Sequence, residues 1–371
     1  MTSQFERSFD DLVEGLPELD RIERAELPGD LACFVAILGF ERRSVAAGRA
    51  LVGRGVRAEY AIGVRYTNDG MDFPNMVHTD EFASTLRALT GGPDPAWLAH
   101  DDHNLESDFG EALLSGLQAL GLDLDSELTH IGFDITVGSS RLLLEGLHAL
   151  LGTRIRVTVF YSESSTYRPR FEEYQAQIDR ERPRRGDPPE FLTQGVDRVE
   201  ILRRIPGQDA DSRPVFLVVL PSFACTRVSA VIEELSPSRV QWAFGVPHLV
   251  KNRWRLDAQR EYHATLTDKS HRHCYVSTFD YRETLTVLEN IYRKRRQTYS
   301  VFVCSLGSKL QKLGQAIFHR LRPEVAAVVA IPRVWDPENY SDDQPRAIYA
   351  VHLGNCRRLV EELWSTKRLR L

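Results

Sequence analysis

The stretch that decides the fold is residues 129–161, THIGFDITVGSSRLLLEGLHALLGTRIRVTVFY. An apolar run leads into a Gly-Ser turn, an amphipathic helix and a second apolar run. Residues 299–333, YSVFVCSLGSKLQKLGQAIFHRLRPEVAAVVAIPR, have the same order. Continuous apolar runs of strand length are typical of strands buried on both faces, as in a parallel sheet. The two stretches therefore predict two copies of one strand–helix–strand unit.

The repeat extends toward the N-terminus. Residues 31–66, LACFVAILGFERRSVAAGRALVGRGVRAEYAIGVRY, align without a gap with residues 213–248, RPVFLVVLPSFACTRVSAVIEELSPSRVQWAFGVPH. Strands that alternate with helices of about 12 residues indicate βαβ units with right-handed crossovers. We predict an α/β protein of two Rossmann-like halves with mainly parallel sheets, related by internal duplication as a pseudo-dimer.

The 371 residues divide by pattern into five segments. We predict a helical lead-in (1–30), a first Rossmann-like half (31–161), a charged Pro/Arg-rich connector (162–212), a second half (213–333) and a C-terminal extension (334–371). Arg198–Ile205 in the connector could form an extra strand, and the extension carries an apolar run, Ala347–Leu353, before a basic helix. Either segment could cross to the opposite half, and the sequence leaves this open.

Hydrophobic periodicity places the individual elements. Strands are predicted at Cys33–Gly39, Ala58–Arg65, Trp97–His100, His130–Thr136, Arg154–Tyr161, Val215–Leu220, Val240–Val246, Cys274–Thr278, Ser300–Ser305 and Ala326–Ile331. Helices are predicted at Arg43–Arg54, Glu81–Leu89, Ser107–Leu120, Ser139–Leu151, Thr226–Leu235, Tyr281–Arg295 and Ser308–Leu321. The polar stretch that ends near His271 is predicted to lack a regular element.

Composition limits the function classes. The net charge of −5 and pI near 6.2 argue against a general nucleic-acid coat protein, for which a pI above about 9 is expected. A basic helix end at 293–296 leaves a nucleic-acid contact possible but not favoured. Five scattered cysteines indicate reduced thiols, and neither a signal peptide nor a span of 18 apolar residues is evident. We expect a cytoplasmic protein without a membrane partner.

In open α/β sheets ligands bind beyond the carboxyl ends of the strands. Two turns there are alike: Gly138-Ser139-Ser140 and Gly307-Ser308-Lys309. A glycine lets the backbone approach a ligand closely, and the N-terminus of the following helix favours an anion such as phosphate. The simpler interpretation is a helix start with serine as N-cap. Both interpretations stay open.

Cations accompany these loops. Arg42, Arg43 and Arg227 are predicted in the first turn of the first helix of each half, where a cation is unfavourable for the helix dipole. Such a placement suggests an anionic partner, and the alternative is an ion pair, for instance between an arginine and Glu41. Arg141, Ser222 and Asp134 complete the candidate ligand-binding residues; Asp134 could act as a base, bind a ribose or cap the following helix.

Several chemistries lack their motifs. Neither a Walker A sequence nor the dinucleotide fingerprint G-x-G-x-x-G is found, so ATP hydrolysis and nicotinamide chemistry are not favoured. His271, His273 and Cys274 are metal-ligand types without a second pair at zinc spacing. Asp101, Asp102 and His103 could chelate a metal, although ordinary loop residues are favoured. We expect no cofactor and no metal, and no catalytic residue is assigned.

The strand followed by Gly307-Ser308-Lys309 and a helix resembles the ligand loop of CARF domains, with Ser308 where the family usually has threonine. Two such units in one chain are similar to the SAVED arrangement. The resemblance covers most of residues 31–333 and implies Rossmann-like sensors of prokaryotic antiviral systems, which bind cyclic oligonucleotides across a dimer axis. In the first half Ser140 stands where the lysine is expected, and Arg141 follows it.

Three functional hypotheses follow. The leading one is a cytosolic sensor for a phosphate-bearing nucleotide or oligonucleotide that signals to a separate protein partner in antiviral defence. The second is a non-catalytic structural or interaction subunit of a defence complex. The third is a nucleotide phosphodiesterase of ring-nuclease type. A binding function is favoured over an enzymatic one.

Overall fold

The computed structural model describes residues 9–27, 29–67, 78–181, 193–207, 213–267, 272–335 and 344–365. Up to residue 164 the strands are β1 (Asp20–Arg21), β2 (Leu31–Ile37), β3 (Ala58–Tyr66), β4 (Ala96–His100), β5 (His130–Asp134) and β6 (Arg156–Ser164). The helices are α1 (Phe9–Glu14), α2 (Ala46–Gly53), α3 (Thr79–Thr90), α4 (Phe109–Ala119) and α5 (Ser140–Leu150).

The rest of the chain has a similar alternation of strands and helices. The strands are β7 (Thr193–Ile201), β8 (Val215–Leu220), β9 (Arg239–Val246), β10 (Arg272–Ser277), β11 (Ser300–Ser305), β12 (Ala326–Trp335) and β13 (Pro345–Asn355). The helices are α6 (Phe171–Glu181), α7 (Cys225–Leu235), α8 (Trp254–Tyr262), α9 (Tyr281–Arg295), α10 (Lys309–Leu321) and α11 (Cys356–Ser365).

These strands form two sheets whose orders match. The first sheet runs β1-β13-β6-β5-β2-β3-β4 and the second β7-β12-β11-β8-β9-β10. In the first sheet the neighbouring strands from β6 to β4 are parallel. In the second sheet the neighbouring strands from β12 to β10 are parallel. The predicted class, an α/β fold of two Rossmann-like halves with mainly parallel sheets, is confirmed.

The two halves exchange their antiparallel strands. β7 follows the first half in sequence but pairs antiparallel with β12 of the second sheet, from Ile201 opposite Val328 to Thr193 opposite Trp335. β13 follows the second half but pairs antiparallel with β6 of the first sheet, Tyr349 lying opposite Tyr161. The question that the sequence left open is therefore answered, because both the connector and the extension cross over.

Two helices join the halves in one core. α5 and α10 are buried on nearly every side; every residue of α5 from Arg141 to Leu150 is buried. They pack against each other, and one hydrophobic cluster contains residues of both, such as Leu143 and Leu313. Since this shared core holds the loops after β5 and β11 side by side, the packing of α5 on α10 fixes the position of the Gly-Ser turns.

The sequence-based element predictions differ from the structure in two places that matter for the site. Arg42–Val45 is a 3-10 turn, and the helix α2 begins only at Ala46. The helix α8 was not predicted, because only Ala258, Gln259 and Tyr262 are buried among charged residues. None of the helices in the described ranges combines the length and apolarity that a bilayer crossing requires.

Candidate ligand-binding site

A cavity of about 250 Å³ lies between the two halves, where the carboxyl ends of both sets of parallel strands meet. The loop after β2, the turn after β5 and the end of β6 line it from the first half. The loops after β8, β9 and β11 line it from the second half, together with α8 and Trp335 at the end of β12. Its position is the one expected for a ligand in an open α/β sheet.

Both Gly-Ser turns start a helix with a serine N-cap. Ser139 Oγ accepts the N–H of Leu142 at 3.1 Å, and Ser308 Oγ accepts the N–H of Gln311 at 3.1 Å. Gln311 Oε1 in turn accepts the Ser308 N–H at 2.8 Å, which completes a capping box. Both serines are therefore N-caps, as the simpler interpretation predicts, and the binding of an anion at these turns stays a prediction.

The two turns also contact each other across the boundary between the halves. Lys309 Nζ donates a hydrogen bond to the carbonyl oxygen of Gly138. In the opposite direction Ser140 Oγ donates to the carbonyl oxygen of Ser305 at 3.5 Å. Each contact joins the first residue of one central helix to the loop or strand end of the other half, so the turns form a direct link between the halves.

Several cations of the second half line the cavity without a carboxylate in ion-pair distance among the described residues. Lys309 and the buried Lys312 donate to backbone carbonyls, Lys312 Nζ to Gly307 at 2.7 Å. Burial lowers the pKa of Lys309 to about 8 and that of Lys312 well below its ordinary value, and nearby Arg227 adds to both effects. Glu41 and Asp102 oppose this lowering at Lys309, but no carboxylate of the described residues forms an ion pair with either lysine.

Two arginines of the second half are held by carbonyls and rings. Arg227 donates to the Ala330 carbonyl at 2.6 and 3.0 Å, and its guanidinium lies 5.7 Å from the Trp335 ring centroid. Arg255 donates to the carbonyls of Arg168 and Pro169 at 3.1 and 2.7 Å and lies over the Phe223 ring. Burial lowers the pKa of Arg255 to about 10.

The first-half side differs because its charges are paired. Arg43 and Glu41 form a buried bidentate ion pair with a closest distance of 3.0 Å, and Arg43 also donates to the Ser162 carbonyl at 2.7 Å. Glu163 accepts Arg346 at 2.8 Å and lies 3.1 Å from His248 Nε2. The predicted alternative for Arg43, an ion pair with Glu41, is thus found, but in the interior.

Asp102 is the other carboxylate on this side. Its Oδ1 lies 2.9 Å from His100 Nε2 and accepts Ser139 Oγ at 2.8 Å. Burial alone would raise the pKa of Asp102, but these hydrogen bonds hold it below its ordinary value. In this order the aspartate lies between serine and histidine. It is therefore not the arrangement of a serine nucleophile, in which the histidine is the central group.

Nine of the twelve predicted ligand-binding residues line the cavity: Arg43, Gly138, Ser139, Ser140, Ser222, Arg227, Gly307, Ser308 and Lys309. Arg42, Asp134 and Arg141 do not. Arg42 is exposed at the start of the 3-10 turn. Asp134 is buried, and its Oδ1 accepts the Thr136 N–H at 2.9 Å rather than capping α5, which Ser139 does. Burial raises the pKa of Asp134 to about 7.

Arg141 is directed away from the cavity into the protein. It is 2% exposed, pairs with Glu145 at 3.1 Å and lies 3.6 Å from Glu200 on the exchanged strand β7. It also donates to the carbonyls of Asp102, Asn104 and Ser107. These contacts give Arg141 a structural role that its position after a Gly-Ser turn did not indicate.

Sequence reasoning missed Lys312, Arg255, His248 and Trp335, all of which line the cavity. Lys312 had a usable signal, since it follows Lys309 by one helical turn and therefore lies on the same face of α10. Arg255 lies in the helix that was not predicted. The described residues contain no group of three or more histidines, cysteines or carboxylates suited to a metal ion, and His271 lies outside them.

No protein-family model matches the chain, and no curated protein matches it in sequence. A solved structure of a Type III CRISPR defence DNA nuclease activated by cyclic oligoadenylate is similar, with a TM-score of 0.45 and 10% sequence identity. The match covers 76% of this chain and 63% of the nuclease, so the chain spans less than two thirds of the length of that protein.

Proposed function

We propose that this chain is a ligand-sensing module that binds a phosphate-bearing nucleotide or oligonucleotide in the cavity between its halves. The observation that carries the proposal is the set of second-half cations, Lys309, Lys312 and Arg255, that face the cavity and hydrogen-bond only to carbonyls among their described contacts. Burying a cation without a counter-charge is costly. An anionic ligand would supply that counter-charge.

The remaining lining supports a nucleotide rather than a small inorganic anion. Seven aromatic side chains line the cavity: Phe40, Tyr66, Tyr161, Tyr167, Phe223, Phe279 and Trp335. Stacking of a base on an aromatic side chain is worth about 1–3 kcal/mol per base. Cations beside aromatic rings are thus the combination that a phosphate joined to a base requires.

The contact between the Gly-Ser turns gives a way to sense the ligand. Lys309 Nζ binds the Gly138 carbonyl across the boundary of the halves. A phosphate competes with that carbonyl for the ammonium group, so binding exchanges a contact between the halves for a contact to ligand. A ligand shifts a conformational equilibrium only through such differential contacts. In the proposal a separate protein partner in antiviral defence detects the shift.

Cavity size sets what this arrangement accepts. About 250 Å³ is slightly below the range of about 300–1,000 Å³ that is usual for small-molecule sites. A mononucleotide therefore requires small adjustments, whereas a longer oligonucleotide requires the halves to separate. The strand exchange by β7 and β13 limits that separation, because each sheet contains a strand from the other segment of the chain.

The test is a binding titration of the purified chain by calorimetry. The ligands are nucleoside mono- and diphosphates, cyclic dinucleotides and cyclic oligoadenylates, the last because the family that the chain resembles binds cyclic oligonucleotides. We expect at least one to bind, and Lys309→Met to weaken it tenfold or more. Lys294→Met removes one charge from the exposed end of α9 and is the matched control. Absence of binding across the panel, or equal losses in both variants, would overturn the proposal.

A further inference from the structure

The cavity has two electrically different sides. Among its described lining residues the second half contributes Arg227, Arg255, Lys309 and Lys312 and no carboxylate. The part of the lining that precedes residue 169 contributes two arginines and three carboxylates, Glu41, Asp102 and Glu163. The internal repeat predicts two similar sides, but the charged side chains make them different.

The positive side is a compact cluster. Lys309 and Lys312 lie one turn apart at the start of α10, and Arg227 is close enough to depress the pKa of both ammonium groups. Like charges at this distance repel each other, and the second half contributes no carboxylate to the described lining; Glu41 and Asp102, which favour the charged form of Lys309, both belong to the opposite side. The N-terminus of α10, a helix of 13 residues, adds the positive end of its dipole. The attraction of one phosphate or diphosphate group to each of these cations would offset their mutual repulsion.

The opposite side is unfavourable for phosphate. Arg43 is already neutralised by Glu41 at 3.0 Å, and Arg168 forms an ion pair with Glu173. The Asp102 and Glu163 carboxylates are held in their charged form by protein donors, since hydrogen bonds keep the pKa of each below its ordinary value despite burial. A second phosphate on this side would therefore lie near carboxylates that remain negative.

From this polarity we infer that the ligand has a single anionic end, as a nucleoside mono- or diphosphate has, and is not a two-fold symmetric cyclic nucleotide. Its phosphate lies against Lys309, Lys312 and Arg227. Its base and sugar lie toward the tyrosines of the first half, Tyr66, Tyr161 and Tyr167. This inference rests on the proposed function and specifies its ligand class.

The test compares two probes with the same base, ADP and cyclic di-AMP, on the full chain. We expect ADP to bind at least tenfold more tightly. Lys312→Met removes a cation of the positive side and weakens ADP binding tenfold or more. Lys294→Met removes one charge from the exposed end of α9, outside the cavity, and it changes ADP binding less than threefold. Circular dichroism checks that both variants are folded.

The outcomes separate the inference from the function on which it rests. If cyclic di-AMP binds as tightly as ADP or more tightly, the inference fails and the proposed function stands. The same holds if Lys294→Met loses as much affinity as Lys312→Met. If neither probe nor any other nucleotide of the panel binds, the proposed function fails and the inference with it.

Discussion

The two Gly-Ser turns have the same backbone and different uses for their positive charge. In the first half the cation after the turn is Arg141, which points into the protein, where it pairs with Glu145 and approaches Glu200. In the second half it is Lys309, which lines the cavity and donates to Gly138. The two turns therefore share their backbone, whereas the contacts of the cation beside each turn differ. Arg141 is held by carboxylates of the protein, and Lys309 faces the cavity.

The difference extends to the energetics of burial. Arg141 is buried with carboxylates and three carbonyl acceptors, so its desolvation is compensated. Lys309 is half-buried with a carbonyl acceptor, and burial is the main cause that lowers its pKa. Glu41 and Asp102 oppose this lowering, whereas Arg43 and Arg227 add to it. Arg141 thus stabilises the folded chain. Burial of Lys309 costs free energy, and in the proposed function a bound anion would offset this cost.

Removing each cation gives the largest expected contrast. Arg141→Met leaves Glu145 buried without its ion-pair partner, whereas Glu200 keeps Arg198 at 3.3 Å. Breaking a buried ion pair in this way costs about 3–5 kcal/mol. Lys309→Met removes a cation whose burial is costly and which forms no ion pair with the described residues, so we expect the free energy of unfolding to stay the same or rise. Urea denaturation of both variants measures the difference. Equal losses in the free energy of unfolding would mean that both cations stabilise the folded chain alike, which would contradict the proposed difference between the turns.

The fold could be predicted to this extent because its signal is local. Fully apolar runs such as Cys33–Gly39 and Ala326–Ile331 can only be buried strands, and serine before an amphipathic helix marks its start. The exchange of β7 and β13 could not be predicted, since the strand pattern does not say which sheet edge a strand joins. That choice depends on contacts between residues far apart in sequence, such as Arg198 with the carbonyls of Asp102 and His103.

The sequence predicted which loops line the cavity, but it did not predict where their side chains point. The rule for strand ends selected the loops that line the cavity, and Lys309 and Arg227 lie there. Arg141 stands one residue beyond the position that Lys309 occupies, and its inward direction was not evident because Glu200, which it approaches, comes from the exchanged strand. Arg255 lies in α8, which was not predicted because its few buried residues stand among charged ones.

The pH dependence of stability tests the charge state of Lys309. Its pKa is lowered to about 8 in the folded chain and is about 10.4 in an unfolded one. Between these values the unfolded state binds more protons, so the lysine makes stability rise with pH. We expect the free energy of unfolding of the wild type, relative to Lys309→Met, to increase by about 1–3 kcal/mol from pH 7.5 to pH 10.

Subtracting the variant removes the contributions common to both proteins, such as those of the buried cysteines, and leaves that of Lys309 together with its effect on Lys312, whose pKa Lys309 lowers. Glu41, Arg43, Asp102 and Arg227 are the charged groups that act on Lys309, and all of them remain in the variant. A difference that does not change with pH would show that the ammonium group is as well solvated as in the unfolded chain. The second turn would then carry no cost for a ligand to recover.

The smallest expected effect separates capping from binding. Ser139→Ala and Ser308→Ala each remove an N-cap, which costs about 1 kcal/mol. Ser139 Oγ also donates to the buried Asp102, whereas Ser308 Oγ donates to the Thr278 carbonyl at 2.6 Å. We expect Ser139→Ala to be the more destabilising, since a buried carboxylate loses a donor, and urea denaturation measures both.

Neither serine substitution is expected to weaken nucleotide binding as Lys309→Met does, because both hydroxyl groups already have protein donors and acceptors. Titration of the two variants with the ligand found for the wild type checks this. A tenfold loss of affinity in Ser308→Ala, with its stability lowered by no more than about 1 kcal/mol, would place that hydroxyl on the ligand. The second turn would then bind through its serine as well as its lysine, and the contrast with the first turn would widen.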